Sequence, residues 1–182
     1  MSQFLKLVQS RQSDRRYLDK PVEEEKLNLL LEAARLAPSA CNSQPWKFIV
    51  VNDPELKAKV AKATYSKLIR FNKFVPQAPV LIVIVIEKPK IVTQIGGSLK
   101  DKEYPLIDIG IAAEHITLMA EEQGLGSCML GWFDEKKIKE LLKIPVQKRI
   151  GLLLSIGYPN GKKRQKIRKK EEDVISYNQY KV

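Results

Sequence analysis

Apolar and polar residues follow one another in blocks that predict alternating helices and strands. Residues 80–86 form an unbroken, β-branched apolar run, which predicts a strand covered on both faces. Further strands are predicted at 47–51, 127–130 and 150–156. Helical spacing of apolar residues predicts helices at about 22–37, 54–65 and 105–123, and a last one from Asp134 to before Pro145. This alternation predicts one domain in which helices cover both sides of a sheet.

Short polar residues and glycine mark the predicted ends of these elements. Asp53, followed by Pro54, and Asp134 are predicted N-caps, and Gly124 is predicted to end the long helix. A short amphipathic segment opens the chain. The polar stretch 87–104 is predicted to form a loop or lid.

Length and composition restrict the class of protein. The chain has 182 residues, enough for one domain with a core. No apolar run reaches the roughly 20 residues that cross a bilayer, and the polar start lacks a signal-peptide pattern, so we expect a cytoplasmic protein. Cys41 and Cys128 are interpreted as small apolar residues in a reducing compartment. A catalytic thiol is the alternative, but nothing in the sequence brings His115, the single histidine, near either cysteine.

The formal charge of +11 has three interpretations. It could serve nucleic-acid binding, form an electropositive cleft for a phosphate-bearing cofactor, or reflect a lysine-rich solvated surface. No nucleic-acid motif supports the first interpretation. The sequence also lacks a glycine-rich dinucleotide or nucleotide loop, a metal motif and a serine-nucleophile elbow. If the chain is an enzyme, a cofactor therefore supplies its chemistry.

Three polar segments carry side chains suited to such a cofactor. They are residues 11–15, residues 38–46 and the basic tail around Lys166 and Arg168. Arginine forks make paired, charge-assisted bonds to phosphate. Amides such as Asn42 and Gln44 both donate and accept, as a heteroaromatic ring requires.

At these segments the sequence resembles the nitroreductase family of FMN-dependent oxidoreductases. The likeness starts at R-Q-S-D-R-R-Y and is most specific in E-A-A-R-L-A-P-S-A-C-N-S-Q-P-W-K-F-I-V-V. It continues through A-P-V-L-I-V-I-V, D-I-G-I-A-A-E-H-I-T-L-M-A, G-L-G-S-C-M-L-G-W-F-D and S-I-G-Y-P, and so covers nearly the whole chain. The resemblance implies an α+β fold, a three-layer α/β/α sandwich whose mixed, mainly antiparallel sheet is covered by helices.

The resemblance also implies a homodimer with non-covalent FMN at the subunit interface. The residues implied to meet the phosphate, ribityl chain and pyrimidine end of the flavin are Arg11, Gln12, Ser13 and Arg15, with Lys166 and Arg168 adding phosphate contacts. Those implied to come from the other subunit are Pro38, Ser39, Ala40, Asn42 and Gln44. The backbone at Leu130 and Gly131 is implied to approach flavin N5, and the tail from about 160 to pack on the phosphate and the partner subunit.

The implied activity is hydride transfer from NADH or NADPH, through flavin N5, to an electron-poor acceptor such as a nitroaromatic or a quinone. Turnover would be ping-pong, with Arg15 stabilising negative charge on the reduced ring. No nucleic-acid or membrane partner and no metal is expected. The alternatives are an enone reductase, a dehalogenase or a flavin-consuming enzyme on the same scaffold, a non-catalytic FMN carrier or sensor, and a basic nucleic-acid-binding protein.

Two departures from the family pattern bear on the site. Cys41 stands where the family often has glycine, and we expect it to fit if its backbone is not left-handed. Trp132 stands at another glycine position and is expected to narrow the acceptor pocket. Asn72 loosely matches a family position that contacts the flavin ring. Each functional assignment also has a plain structural reading: Trp46 as packing, His115 as a hydrogen-bonded structural residue, and Lys166 and Arg168 as solvated charges.

Overall fold

Five α-helices and four strands make up the described part of the computed structural model, which comprises residues 1–66, 70–88 and 102–180. The helices are α1 (Gln3–Ser10), α2 (Glu24–Arg35), α3 (Pro54–Lys62), α4 (Tyr104–Glu122) and α5 (Glu135–Leu142). The strands are β1 (Trp46–Val51), β2 (Val80–Ile86), β3 (Gly126–Leu130) and β4 (Arg149–Gly157). None of these helices has the length and apolar character that a bilayer crossing demands.

The predicted elements agree with this layout apart from shifts at their ends. The predicted loop or lid at 87–104 falls mainly on residues 89–101, which lie outside the described residues. Tyr104, predicted as the end of that loop, is instead the first residue of α4. The opening amphipathic segment forms the helix α1.

The four strands form one antiparallel sheet in the order β1–β2–β4–β3. β2 lies inside the sheet, with Val83 opposite Ile49 of β1 on one side and Leu153 of β4 on the other. All but the last residue of β2 are buried. Burial on both faces confirms the prediction that was drawn from its unbroken apolar run.

Alternate residues of β2 belong to two separate apolar clusters. Leu81 and Val83 pack in one cluster with residues of α3 and α5. Ile82 and Ile84 pack in the other with residues of α2 and α4. Because successive strand residues point to opposite faces, one strand contributes to both layers. The predicted three-layer α/β/α arrangement is therefore confirmed.

Local capping interactions begin and end the helices where the sequence indicates. The Asp53 carboxylate accepts a hydrogen bond from the Leu56 N–H at 2.8 Å at the start of α3. The Asp134 carboxylate does the same for the Lys137 N–H at 3.0 Å at the start of α5. Gly124 follows α4 with a φ of 72°, a left-handed conformation that favours glycine.

The segment 11–17, here named the N-terminal arginine segment, is attached to the edge strand β3. Ser13 forms a parallel bridge with Ser127, and the Asp14 N–H donates to the Ser127 carbonyl at 2.8 Å. The buried Tyr17 hydroxyl donates back to the Asp14 carbonyl at 2.9 Å. These bonds fix the arginine segment along the outer side of the sheet.

Gly126, the first residue of β3, makes room for this attachment. A Cβ atom at position 126 would lie 2.7 Å from Asp14 Oδ2 and 2.9 Å from Asp14 Cβ. The Asp14 side chain is enclosed, so it cannot move aside without shifting the backbone of the arginine segment. A side chain at position 126 is therefore incompatible with the observed position of Asp14.

We expect Gly126→Ala to lower the free energy of unfolding by about 1–3 kcal/mol, because the added methyl overpacks the contact with Asp14. Urea unfolding of the two proteins measures the change. Gly110→Ala is the matched control: Gly110 lies within α4, where a Cβ would meet nothing within 4 Å, and alanine should be neutral or stabilising there by up to about 1 kcal/mol. Equal effects of the two substitutions would contradict the steric argument.

Candidate functional site

An open cleft, which we name the cationic cleft, lies between the N-terminal arginine segment and the basic tail. Its volume is about 430 Å³. Its lining comprises Gln9, Ser10, Arg11, Gln12, Ser13, Arg15, Arg164, Gln165, Lys166, Ile167 and Arg168. The first and third polar segments singled out in the sequence are thus brought together, although they stand at opposite ends of the chain. All six residues predicted for the phosphate, ribityl and pyrimidine contacts lie in this lining.

Arg11 combines one ion pair with one unused donor. Its Nη2 lies 3.2 Å from Glu114 Oε1 on α4, which holds the guanidinium at the cleft. Its Nε is buried and has no hydrogen-bond partner among the described residues. A buried N–H without a partner is costly, so this atom provides a ready donor for an anionic ligand.

Lys166 ties the tail to the end of α1. Its ammonium donates to the Val8 carbonyl at 2.5 Å and to the Arg11 carbonyl at 2.8 Å. The pKa of Lys166 lies below its ordinary value, first because of burial and then because Arg11 and Arg168 are nearby cations. The ammonium therefore lies in a positive electrostatic potential, which a bound anion would reduce.

Arg164, which the sequence analysis did not single out, is the third basic side chain of the tail at the cleft. Its backbone N–H and Nε donate to Gln12 Oε1 at 3.1 and 3.3 Å, and its Nη2 donates to the Ser13 carbonyl at 2.6 Å. Gln12 Nε2 in turn donates to Asp14 Oδ1 at 2.8 Å. The sequence pattern that could have indicated Arg164 is the alternation of basic residues at positions 164, 166 and 168. Gln12 is thus oriented by the protein on both sides of its amide.

Asp14 is the buried carboxylate of this network. It is 5% exposed, and its Oδ2 has no hydrogen-bond partner among the described residues. Burial raises the pKa of Asp14, and the hydrogen bond from Gln12 only partly opposes that rise. The folded chain therefore binds this proton more tightly than the unfolded chain does. It follows that the contribution of Asp14 to stability falls as pH rises from the unfolded pKa, near 3.9, through the folded one.

Asp14→Asn should therefore raise the melting temperature at pH 7, by about 2–4 °C, because it removes a buried charge and keeps the acceptor for Gln12. The gain over the parent protein should shrink toward pH 4, where the native carboxyl takes up its proton. Melting curves at the two pH values measure this. Asp19→Asn, at an exposed carboxylate of the neighbouring stretch, is the control. A gain that does not depend on pH would contradict the role given to burial.

The second polar segment, residues 38–46, forms a separate loop before β1. The Ala40 N–H donates to Asp108 Oδ1 of α4 at 3.0 Å. Within the loop, the Gln44 N–H donates to Ser39 Oγ at 2.9 Å, and Gln44 Nε2 donates to Asn42 Oδ1 at 2.8 Å. Pro38, Ser39, Ala40, Asn42 and Gln44 are not in the lining of the cationic cleft of the described chain. Within one subunit, the predicted site is therefore only partly assembled.

Cys41 departs from both expectations that the sequence gave for it. Its backbone is left-handed, with a φ of 52° and a ψ of 28°, so the condition under which we expected cysteine to replace glycine is not met. It is also exposed, whereas its interpretation as a small apolar residue would favour burial. Asn42 and Gln44 share this conformation, with φ values of 50° and 49°. The hydrogen bonds within the loop hold these residues in a conformation that residues with a Cβ disfavour.

Cys41→Gly should raise the free energy of unfolding by up to about 1 kcal/mol, since glycine adopts the left-handed region without steric cost. Chemical denaturation measures the gain. Cys41→Ala, which keeps the Cβ, should show no gain. Lys143→Gly is a positive control, because Lys143 has a φ of 54° beyond α5. The argument fails if Cys41→Gly behaves like Cys41→Ala.

Leu130 and Gly131, the residues predicted to approach flavin N5, lie where β3 ends. Leu130 is the last residue of the strand and is buried, and Gly131 is exposed. Ser127, to which the arginine segment is bonded, lies three residues earlier, or about 10 Å along the strand. Leu130 and Gly131 are absent from the lining of the cationic cleft, and so they stand at a distance from it along the same strand.

Trp132 and Asn72 lie beside this strand end. Trp132 is 54% exposed, and its ring meets Phe71 edge-on with 6.4 Å between centroids. Asn72 is buried, and its Nδ2 donates to the Thr64 and Trp132 carbonyls at 3.1 Å each. Asn72 therefore ties two backbone segments together behind the exposed indole.

The remaining candidates have structural surroundings. His115 Nδ1 lies 3.0 Å from the Ala33 carbonyl, in agreement with its reading as a hydrogen-bonded residue between α4 and α2. Cys128 is buried in the core, and burial raises the pKa of its thiol, which disfavours the reactive thiolate. Trp46 stacks on Phe48 with 6.2 Å between centroids and packs against an apolar cluster, as its packing interpretation expects.

Comparison with known proteins gives a family match over most of the chain. A model described as "Nitroreductase family" matches residues 8–158. A relative from Archaeoglobus fulgidus, whose name joins NADH dehydrogenase and NAD(P)H nitroreductase, is 35% identical over 171 residues, which cover 90% of this chain and 89% of the relative. An iodotyrosine deiodinase from Thermotoga neapolitana is 26% identical over 200 residues, which cover 99% of this chain and all 100% of the relative.

A solved structure repeats this likeness in three dimensions. An FMN-dependent nitroreductase from Clostridium difficile superimposes with a TM-score of 0.80 at 30% sequence identity. The match covers 97% of this chain and 99% of that one. The fold and the sequence motifs therefore point to one and the same family.

Proposed function

The chain belongs to the nitroreductase family, and from that premise we propose that it binds FMN without a covalent link and acts as an NAD(P)H oxidoreductase. The acceptor is an electron-poor small molecule such as a nitroaromatic or a quinone. One observation carries the proposal: Arg11, Arg15, Lys166 and Arg168 converge on a single cleft. This is the charge pattern that a phosphate monoester requires.

The residues present fit the flavin phosphate. Arg11 Nε is a buried donor without a partner among the described residues, and it belongs to a guanidinium that Glu114 already orients. Lys166 is positioned by two carbonyls and has a third N–H left. The Ser13 hydroxyl and the Gln12 amide supply neutral contacts beside these cations. The phosphate would thus be held by preoriented groups, at little cost in side-chain entropy.

FMN bound here would supply the redox chemistry, taking hydride from NADH or NADPH and passing it on in a ping-pong sequence. The protein would supply position and charge. Arg15 would stabilise the negative charge that reduction adds at the pyrimidine end of the ring. The backbone at Leu130 and Gly131 would approach N5 from the end of β3. Solvent would provide the protons that a reduced nitro group takes up.

We further propose that two copies of the chain share each flavin site. The loop carrying Pro38, Ser39, Ala40, Asn42 and Gln44 would reach the flavin of the partner subunit, since in its own subunit it lies apart from the cationic cleft. Exposed apolar side chains on α2, directly after it and on α4 support such an interface, among them Leu29, Leu36, Leu106 and Ile107. The chain would form one domain over 1–182, with its tail from about 160 packed on the flavin phosphate and on the partner. Exposed Tyr177 and Tyr180 are the candidate tail contacts.

A dehalogenase on the same scaffold is the second candidate function. The similarity to an iodotyrosine deiodinase over the whole length of both chains favours it over an enone reductase. Both functions need the same flavin site and differ only in the acceptor. Product analysis with nitroaromatic, quinone and halogenated aromatic acceptors distinguishes them, and a protein that binds FMN without oxidising either nicotinamide would be a carrier or sensor.

We expect the purified protein to be yellow and to release FMN on denaturation. Arg11→Ala should weaken FMN binding roughly 10- to 100-fold, because it removes a charge-assisted bond from a buried donor. Quenching of flavin fluorescence measures the affinity, and sedimentation of the loaded protein shows whether it is a dimer. Arg35→Ala is the matched control, since Arg35 pairs with Glu32 on its own helix, outside the cleft. A colourless protein that takes up no added FMN, or equal affinities for the two variants, would overturn the proposal.

A further inference from the structure

A second cleft lies between α3, α5 and the end of β3, and we name it the lysine–aromatic cleft. Its volume is about 680 Å³, within the usual range of small-molecule sites. The side chains that matter in its lining are the cations Lys59, Lys62 and Lys137 and the aromatic rings Tyr65, Trp132 and Phe133. It shares no lining residue with the cationic cleft.

The aromatic wall of this cleft lies next to the proposed hydride-accepting position. Trp132 directly follows Gly131, so their Cα atoms are about 3.8 Å apart. Phe71 packs edge-on against the indole, and Asn72 holds the Trp132 carbonyl. An indole that is about half exposed offers a flat surface for a planar ring.

The cleft carries cations on both of its helical walls. Lys59 and Lys62 lie in the last turn of α3, where the helix dipole favours them. Lys137, however, lies in the first turn of α5, where the dipole disfavours a positive charge. Lys137 pairs with Glu140 of its own helix at 3.3 Å, whereas within residues 1–66, 70–88 and 102–180 no carboxylate pairs with Lys59 or Lys62. Asp134 is the single acid among the described residues of the lining, so these residues carry a surplus of positive charge.

We infer that the lysine–aromatic cleft binds the adenosine end of the nicotinamide donor and selects NADPH over NADH. This inference rests on the proposed function, which needs the nicotinamide ring near Gly131. Adenine would stack on the indole. The 2′-phosphate, nearly dianionic at neutral pH, would lie between the lysines of α3 and α5. An acidic aromatic acceptor would match the same chemistry less fully, because it lacks a dianion at a distance from its ring.

The test uses nucleotide fragments that bind without turnover. We expect adenosine 2′,5′-bisphosphate to bind the full-length protein roughly tenfold more tightly than adenosine 5′-monophosphate, since two exposed ammonium–phosphate pairs contribute modestly. Calorimetric titration measures both affinities. Lys62→Ala/Lys137→Ala, which removes one cation from each wall, should abolish the difference.

The matched control is Lys88→Ala/Lys136→Ala, which removes the same charge. Lys136 neighbours Lys137 on α5 but lies outside the lining of this cleft, and Lys88 follows β2. This control should keep the preference for the bisphosphate. Equal affinities in the parent protein, or equal losses in the two double variants, would overturn the inference. So would a Lys62→Ala/Lys137→Ala variant that loses affinity for 4-nitrobenzoate and keeps it for the bisphosphate.

Steady-state kinetics separate this inference from the proposed function. With the FMN-loaded enzyme, Lys62→Ala/Lys137→Ala should raise KM for NADPH about tenfold and leave the kinetic constants for NADH nearly unchanged. If the bisphosphate preference is present but neither nicotinamide is oxidised, the proposed function fails and the nucleotide site stands. If both are oxidised without any preference in the fragments or in KM, the proposed function stands and this inference fails.

Discussion

The hydrogen bond from the Asp14 N–H to the Ser127 carbonyl joins the arginine-bearing start of the chain to the sheet, and the site is arranged around it. It aligns Ser13 with β3, and the residues beside Ser13 therefore face the basic tail. The join is possible because position 126 has no side chain where the Asp14 carboxyl lies. A flexible stretch of cations would bind an anion weakly, since binding would have to order it. Here folding of the sheet has already ordered it.

Cations that converge on one cleft repel each other, and the protein offsets this repulsion with its own acceptors. Lys166 uses the carbonyls at the end of α1, Arg11 uses Glu114, and Arg164 uses Gln12 and the Ser13 carbonyl. Burial lowers the pKa of Lys166, and the neighbouring cations Arg11 and Arg168 lower it further. The phosphate of the proposed ligand would therefore complete an arrangement that is already partly neutralised. The cleft therefore has a defined geometry and keeps a positive charge that favours a negatively charged ligand.

Periodicity and capping were readable from the sequence because both are local. The apolar run of β2, the caps Asp53 and Asp134, and the end of α4 at Gly124 all follow from neighbouring residues. The strand order β1–β2–β4–β3 does not, since it depends on contacts between distant parts of the chain. The left-handed backbone at Cys41 was missed because cysteine gives no local signal for it. Hydrogen bonds among Ser39, Asn42 and Gln44 impose that conformation instead.

Most candidate site residues came from motif resemblance and not from physical reasoning about the residues. The resemblance selected Lys166 and Arg168 from a basic run in which any member was chemically suitable. It gave no reason to choose Arg164, whose role depends on the position of Gln12 across the cleft. The lysine–aromatic cleft was equally invisible, because Lys62 and Lys137 stand far apart in the chain on two different helices. Which distant side chains come together is information that only the folded structure provides.

The parallel bridge at Ser13 also occupies the outer side of β3 at Ser127, on one of the two borders of the sheet. An uncovered border presents rows of unpaired N–H and C=O groups to which another polypeptide can add as a strand. The segment that carries Arg11 and Arg15 thus also blocks strand addition at this point of the border. Residues 11–17 are for this reason under two constraints at once, and changes that loosen their hold on the sheet put solubility at risk together with ligand binding.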